Sequence, residues 1–195
     1  PGPVEEVPGI PPVVPESFAR AEAFYRDGEY EKAAEAFRTY LTENPYGERS
    51  RVALFRLARI YENTHRYEDS LTLLERIIRE YPDHPDRPLT EYHIAATYYR
   101  LGDYGKVREI LTDWVVNYPA NPMKGEALYL LGKALRALGD NAGAFRKWIE
   151  AATARWAGGD VPKMQEEIRE QNIGLINSAR LEELNVMEGY AQGTG

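Results

Sequence analysis

The chain has no cysteine among its 195 residues, so disulfides and thiol chemistry are excluded and the redox compartment cannot be read from it. Histidine is almost as scarce. His65, His84 and His93 share no metal-ligand spacing with one another or with carboxylates, and no metal or other cofactor is expected. No phosphate-binding loop is present either: Leu131-Gly132-Lys133-Ala134 lacks the upstream glycine and the hydroxyl residue. The four serines, Ser17, Ser50, Ser70 and Ser178, have no nucleophile-elbow context. The acid pairs Glu166-Glu167 and Glu182-Glu183 fall in helical patterns, where adjacent side chains point apart. Catalysis is therefore not expected. No apolar run approaches the roughly 18 residues that would span a bilayer. A basic excess is missing too: the net charge is −7, which argues against the phosphate contacts of a nucleic-acid binder.

What is present is a period. Tyr30, Tyr67, Tyr104 and Asn141 are 37 residues apart, and Phe37, Leu74, Leu111 and Trp148 keep the same step. So do Pro45, Pro82 and Pro119, and the small residues Ala21, Ala58, Ala95 and Gly132. Four columns in one register identify a repeat whose units bury their apolar faces against neighbours. The stretch Glu91–Pro122 shows the unit. Ile94, Ala95, Tyr98 and Leu101 recur at three- and four-residue intervals on one helical face, and Val107, Ile110, Leu111, Trp114 and Val115 repeat the pattern. Between them Gly102 suits a left-handed C-cap and Asp103 can cap the following helix. Pro119 ends the unit, because proline lacks the amide and disfavours helix at the residue before it.

In chain order, residues 1–14 are rich in proline and glycine and are expected to form an extended linker. A chain that begins at Pro1 rather than Met is expected to be a processed product, with any signal peptide or lipid-bearing cysteine upstream. Four repeats are expected over 15–157. The turn of the second, Asn63-Thr64-His65-Arg66, has no glycine, so Asn63 or His65 must take the left-handed position. Residues 158–195 are expected to form a divergent fifth hairpin or cap with a short polar tail. Asp160 caps its first helix, which carries Met164, Ile168, Ile173 and Ile176; a second starts at Ser178. Such a tail, directly behind a repeat exit, suggests that the natural chain continues.

The small residue, aromatic turn and terminal proline resemble the tetratricopeptide repeat, over about residues 15–156. In the fourth repeat its pattern falls on Leu128, Leu131-Gly132, Leu135, Ala144 and Trp148; in the second, on Leu54, Leu57-Ala58, Tyr61, Ser70, Leu74 and Pro82. The usual period is 34, so about three residues are added per repeat, as in Tyr81-Pro82-Asp83-His84-Pro85. The resemblance implies an all-α superhelix, a right-handed solenoid of helical hairpins with about ten helices. The Tyr-Pro-x-x-Pro exits further resemble the extracytoplasmic modules of bacterial outer-membrane lipoproteins, of BamD/CpoB type, or the N-terminal helical part of penicillin-binding-protein activators. That likeness implies a periplasmic, outer-membrane-associated protein, lipid-anchored upstream; a cytoplasmic location is the remaining alternative.

The candidate site is a column on the first helices: Phe18, Phe55, Tyr92 and Tyr129, again 37 apart. In the family this column faces the concave groove, together here with Tyr25, Arg59, Tyr99, Arg100, Lys133 and Arg136. Aromatics with interspersed cations suit a protein or peptide partner, since rings offer contact area and arginine forks to carboxylates. The other reading has the rings filling the space between adjacent first helices. The function expected is a non-catalytic interaction scaffold of the cell envelope. The alternative is a helical module positioning a downstream ligand-binding domain.

Overall fold

The computed structural model describes residues 14–154, 165–174 and 176–177. Among them all regular structure is helical: α1 (Glu16–Arg26), α2 (Tyr30–Glu43), α3 (Glu48–Asn63), α4 (Tyr67–Glu80), α5 (Arg87–Leu101), α6 (Tyr104–Asn117), α7 (Lys124–Ala137) and α8 (Asn141–Thr153), then α9 over 165–174. Residues 1–13 of the linker expected over 1–14, the Asp160 cap, Met164 and the helix expected from Ser178 lie outside the described residues. The chain divides into two compact units, Pro1–Thr90 and Glu91–Gly195.

Each hairpin closes with the same backbone device. The amides of Glu29, Arg66, Asp103 and Asp140 donate to the carbonyls of Phe24, Tyr61, Tyr98 and Leu135, a six-to-one closure that consumes helix-end acceptors. That closure needs one residue at positive φ. Gly28, Gly102 and Gly139 supply it at 76°, 80° and 86°, and in the second hairpin His65 does so at 60°. Of the two residues the sequence left open there, His65 is the one. Beyond the turn the units differ: Asp103 and Asp140 accept from the amides of Lys106 and Gly143 at 3.0 and 2.7 Å. Glu29 and Arg66, in the equivalent places, make no side-chain cap.

In the first unit Phe18, Ala21, Ala33, Phe37, Tyr40, Ala53 and Leu57 form a continuous core, with Leu74 and Ile77 also buried. In the second, Ala95, Leu111, Trp114, Leu128, Leu131, Trp148 and Ile168 do so. In the hairpin α7–α8 the column of small residues meets the column of large ones. Gly132 shows why: a methyl group there would overlap the indole of Trp148, which is 1 % exposed and donates through Nε1 to the Tyr129 carbonyl at 3.2 Å.

Three apolar expectations end differently. Leu101 is 37 % exposed, because it is the last residue of α5 and the turn lifts it off the packed face. Ile173 and Ile176 are 51 % and 54 % exposed, while Ile168 on the same stretch is buried. The added residues of the second repeat do structural work. In the 81–86 loop the Tyr81 hydroxyl donates to the Gly47 carbonyl at 3.1 Å, and Asp86 meets the buried Arg51 at 3.2 Å. Arg51 also engages Glu48, and the Arg51 hydrogen bond holds that carboxyl below its ordinary range. His84 accepts the Asp86 amide on Nδ1 at 3.0 Å and turns Nε2 to Glu48 at 3.2 Å.

Candidate partner-binding face

The proposed column lies on first helices, and each unit carries its own part of it. In the first unit, Phe18 on α1 is buried and packs edge-on against Tyr40 and Phe37, with centroids 5.1 and 6.1 Å apart. Its ring is core, and it presents no face to a partner. Tyr25 and Phe55 are half-buried. The Arg56 guanidinium stacks 4.9 Å over the Tyr25 ring and meets Glu22 at 3.0 Å, while Arg59 is ion-paired with Glu62. The cations of this face are therefore matched by acids on α1 and α3.

In the second unit the face is built from α5, α7 and α9. The Lys133 ammonium lies 4.7 Å from the Tyr99 centroid and 5.4 Å from that of Tyr129, a two-ring cradle across α5 and α7. Tyr99 rests on Tyr104, whose centroid is 5.3 Å away. The Tyr129 hydroxyl donates to Glu167 of α9 at 2.8 Å. Burial pushes the Lys133 amine below its ordinary value, Glu167 pulling the other way and Arg100 adding to the depression. Burial, then the Glu167 hydrogen bond, pushes the Tyr129 phenol well above its own. Tyr92 is half-buried beside His93, and Arg100 and Arg136 are exposed. Tyr99, Tyr129 and Lys133 thus come together. Phe55 and Arg59 belong to the first unit and are not part of that cluster.

Sequence reasoning missed two participants. Arg56 falls one place after Phe55, in a column otherwise held by Ala19, His93 and Leu130, and only its proximity to Glu22 marks it. Glu167 precedes Ile168, which stands 37 residues after Leu131; that register placed it beside the face. Among the described residues no group of three histidine, aspartate or glutamate side chains could hold a metal. Among the described residues, too, no helix is long and apolar enough to cross a membrane.

The Tetratricopeptide repeat family model matches residues 18–85 and 92–160. The chain belongs to the tetratricopeptide repeat family. Solved structures of similar fold include a putative kinesin light chain with nearly identical TPR-like repeats from Podosopora anserina, at 17% identity and TM-score 0.66, covering 91% of this chain and 95% of that one. MamA from Desulfovibrio magneticus RS-1 matches at 15% identity and TM-score 0.62, over 86% of this chain and 98% of that one. MamA of strain AMB-1 matches at 20% identity and TM-score 0.59, over 92% of each chain. At these identities the likeness is one of fold, an all-α architecture of tetratricopeptide hairpins, as the sequence leads one to expect. Comparison with curated protein sequences gives no match. Tetratricopeptide repeats mediate protein–protein interaction and are typically non-catalytic scaffolds.

Proposed function

We propose that this chain is a non-catalytic interaction module whose protein or peptide partner docks on the first-helix face of the second unit, across Tyr92, Tyr99, Tyr129, Arg100, Lys133 and Arg136. The observation that carries this reading is the Lys133 ammonium between two tyrosine rings, which joins contact area and charge on one rigid surface. A preformed surface spends little free energy on ordering itself when it binds. Phe18 is left out, because it is buried.

We place the module in the bacterial envelope, anchored by lipid upstream, on the likeness of its Tyr-Pro-x-x-Pro exits to envelope lipoproteins. The same likeness supports a second reading, in which the module positions a further ligand-binding domain in one polypeptide. Reading the gene past residue 195 decides between them.

The docking test is crosslinked capture from envelope extract with the wild-type chain and with Tyr92→Ala plus Tyr129→Ala. Capture should disappear while the helical circular dichroism and the melting profile are kept. Undiminished capture by the double variant refutes the face, and loss of folding assigns the rings to the core instead.

A further inference from the structure

Cations on the first-helix faces are handled differently in the two units. Arg56 and Arg59 meet Glu22 and Glu62. Among the described residues Lys133 has two rings against it and no carboxylate or other hydrogen-bond acceptor. Arg100 on α5 and Arg136 one turn along α7 likewise make no ion pair among the described residues. The acid that acts on Lys133 is Glu167, and its Oε2 already accepts the Tyr129 hydroxyl. Lys133, Arg100 and Arg136 put three positive charges on α5 and α7, and Glu167 is the acid that the structure brings to bear on Lys133.

An aromatic face attracts an ammonium but does not satisfy its three N–H donors. The half-buried ammonium keeps its N–H donors open to water, and a ligand carboxylate would replace that water with a charge-assisted hydrogen bond. We infer that the cluster receives an acidic partner segment carrying two carboxylate side chains, one directed at Lys133 and the other at Arg100 or Arg136. Charge complementarity selects this occupant: two carboxylates balance what Glu167 leaves open. A single chain-terminal carboxylate supplies one charge at one point, whereas positions 133 and 136 are roughly 5–6 Å apart at Cβ and Arg100 stands on another helix. Acidic residues on the partner also fix register and specificity, because a wrong, basic segment would meet like charge.

This inference rests on the docking reading above, and the experiment separates the two. The full chain is titrated by calorimetry with a synthetic peptide carrying Glu-Leu-Glu in an apolar frame, and with its Gln-Leu-Gln twin. The glutamate peptide should bind at least about tenfold more tightly than its twin, and its affinity should fall as salt is raised from about 0.15 to 1 M. Lys133→Gln should cost the glutamate peptide about tenfold, the pair Arg100→Gln with Arg136→Gln should cost it about tenfold as well, and both should leave the twin unchanged. Arg56→Gln, whose cation is already paired with Glu22, should change neither. The proposal is overturned if the glutamate peptide does not bind, if the twins bind alike, or if Lys133→Gln has no effect. If Tyr92→Ala with Tyr129→Ala abolishes capture of a partner that Lys133→Gln still captures, the face stands and the acidic ligand alone fails.

Discussion

The hairpins α3–α4 and α7–α8 are written on one 37-residue template, yet they solve it with different residues. The first buries Ala58 and Leu74 in its columns, turns at His65, starts its second helix without a side-chain cap, and neutralises Arg56 and Arg59. The second places Gly132 under Trp148, turns at Gly139, caps with Asp140, and leaves Lys133 open to an acidic ligand on the reading above. The columns are thus not independent. Where the large residue is tryptophan rather than leucine, the small one lacks its methyl, and the indole takes the space that a Cβ would fill.

Truncating the large column breaks the comparison most severely. Trp148→Ala should cost about 3–5 kcal/mol and Leu74→Ala about 2–5, because both side chains are 1 % exposed or less and their neighbours can collapse only partly. Urea midpoints measure both. A loss below about 1 kcal/mol at either site would mean that the column is not core.

The coupling of columns gives the next largest effect. Gly132→Ala should destabilise by about 1–3 kcal/mol, although alanine is the better helix former, because its methyl meets an indole fixed by burial and by the Tyr129 carbonyl. In a Trp148→Leu background the same change should be neutral or favourable. A double-mutant cycle with no interaction energy would refute the size exchange.

Capping comes third. Asp140→Ala should cost about 1 kcal/mol through loss of the bond from the Gly143 amide. Arg66→Ala, at the equivalent uncapped place, removes no such bond. If amide exchange in the first turn of α8 did not accelerate in Asp140→Ala, the cap would be ornamental.

The turns, the columns and the helix ends were legible because each is a backbone demand that recurs in register: a positive φ, a close crossing, a missing amide at proline. Side-chain fate was less legible. Helical spacing put Phe18 in one column with Tyr129, but Phe18 meets two rings of its own hairpin while Tyr129 reaches an acid on the next first helix. Spacing also counted Leu101 as inward, without weighing that a helix's last residue follows the turn. The cradle of Lys133 needed rings from two helices, which no single-helix pattern reports. Arg51 was missed altogether, since nothing in a first-helix pattern says that a charge will be buried and matched by a loop some thirty-five residues on.

The smallest expected effect, that of His65→Gly, tests the turn itself. His65 sits at φ 60°, where an ordinary side chain costs about 1–2 kcal/mol, and Gly139 holds the same place at 86° with no Cβ to strain. Histidine recovers part of that cost locally: its Nδ1 lies 2.7 Å from the Tyr67 hydroxyl, with the two rings edge-on. His65→Gly removes the strain, but it also removes this contact and widens the unfolded ensemble by the freedom glycine brings. The net gain should therefore be no more than about 1 kcal/mol. Gly139→His should lose about 1–2 kcal/mol, because Asn141 stands where Tyr67 does in the second hairpin and offers no hydroxyl to the imidazole. Replacing Asn141 by Tyr in that variant should restore part of the loss. No restoration would mean that the imidazole–phenol contact contributes nothing, and that His65 is tolerated only because the six-to-one closure around it outweighs the strain.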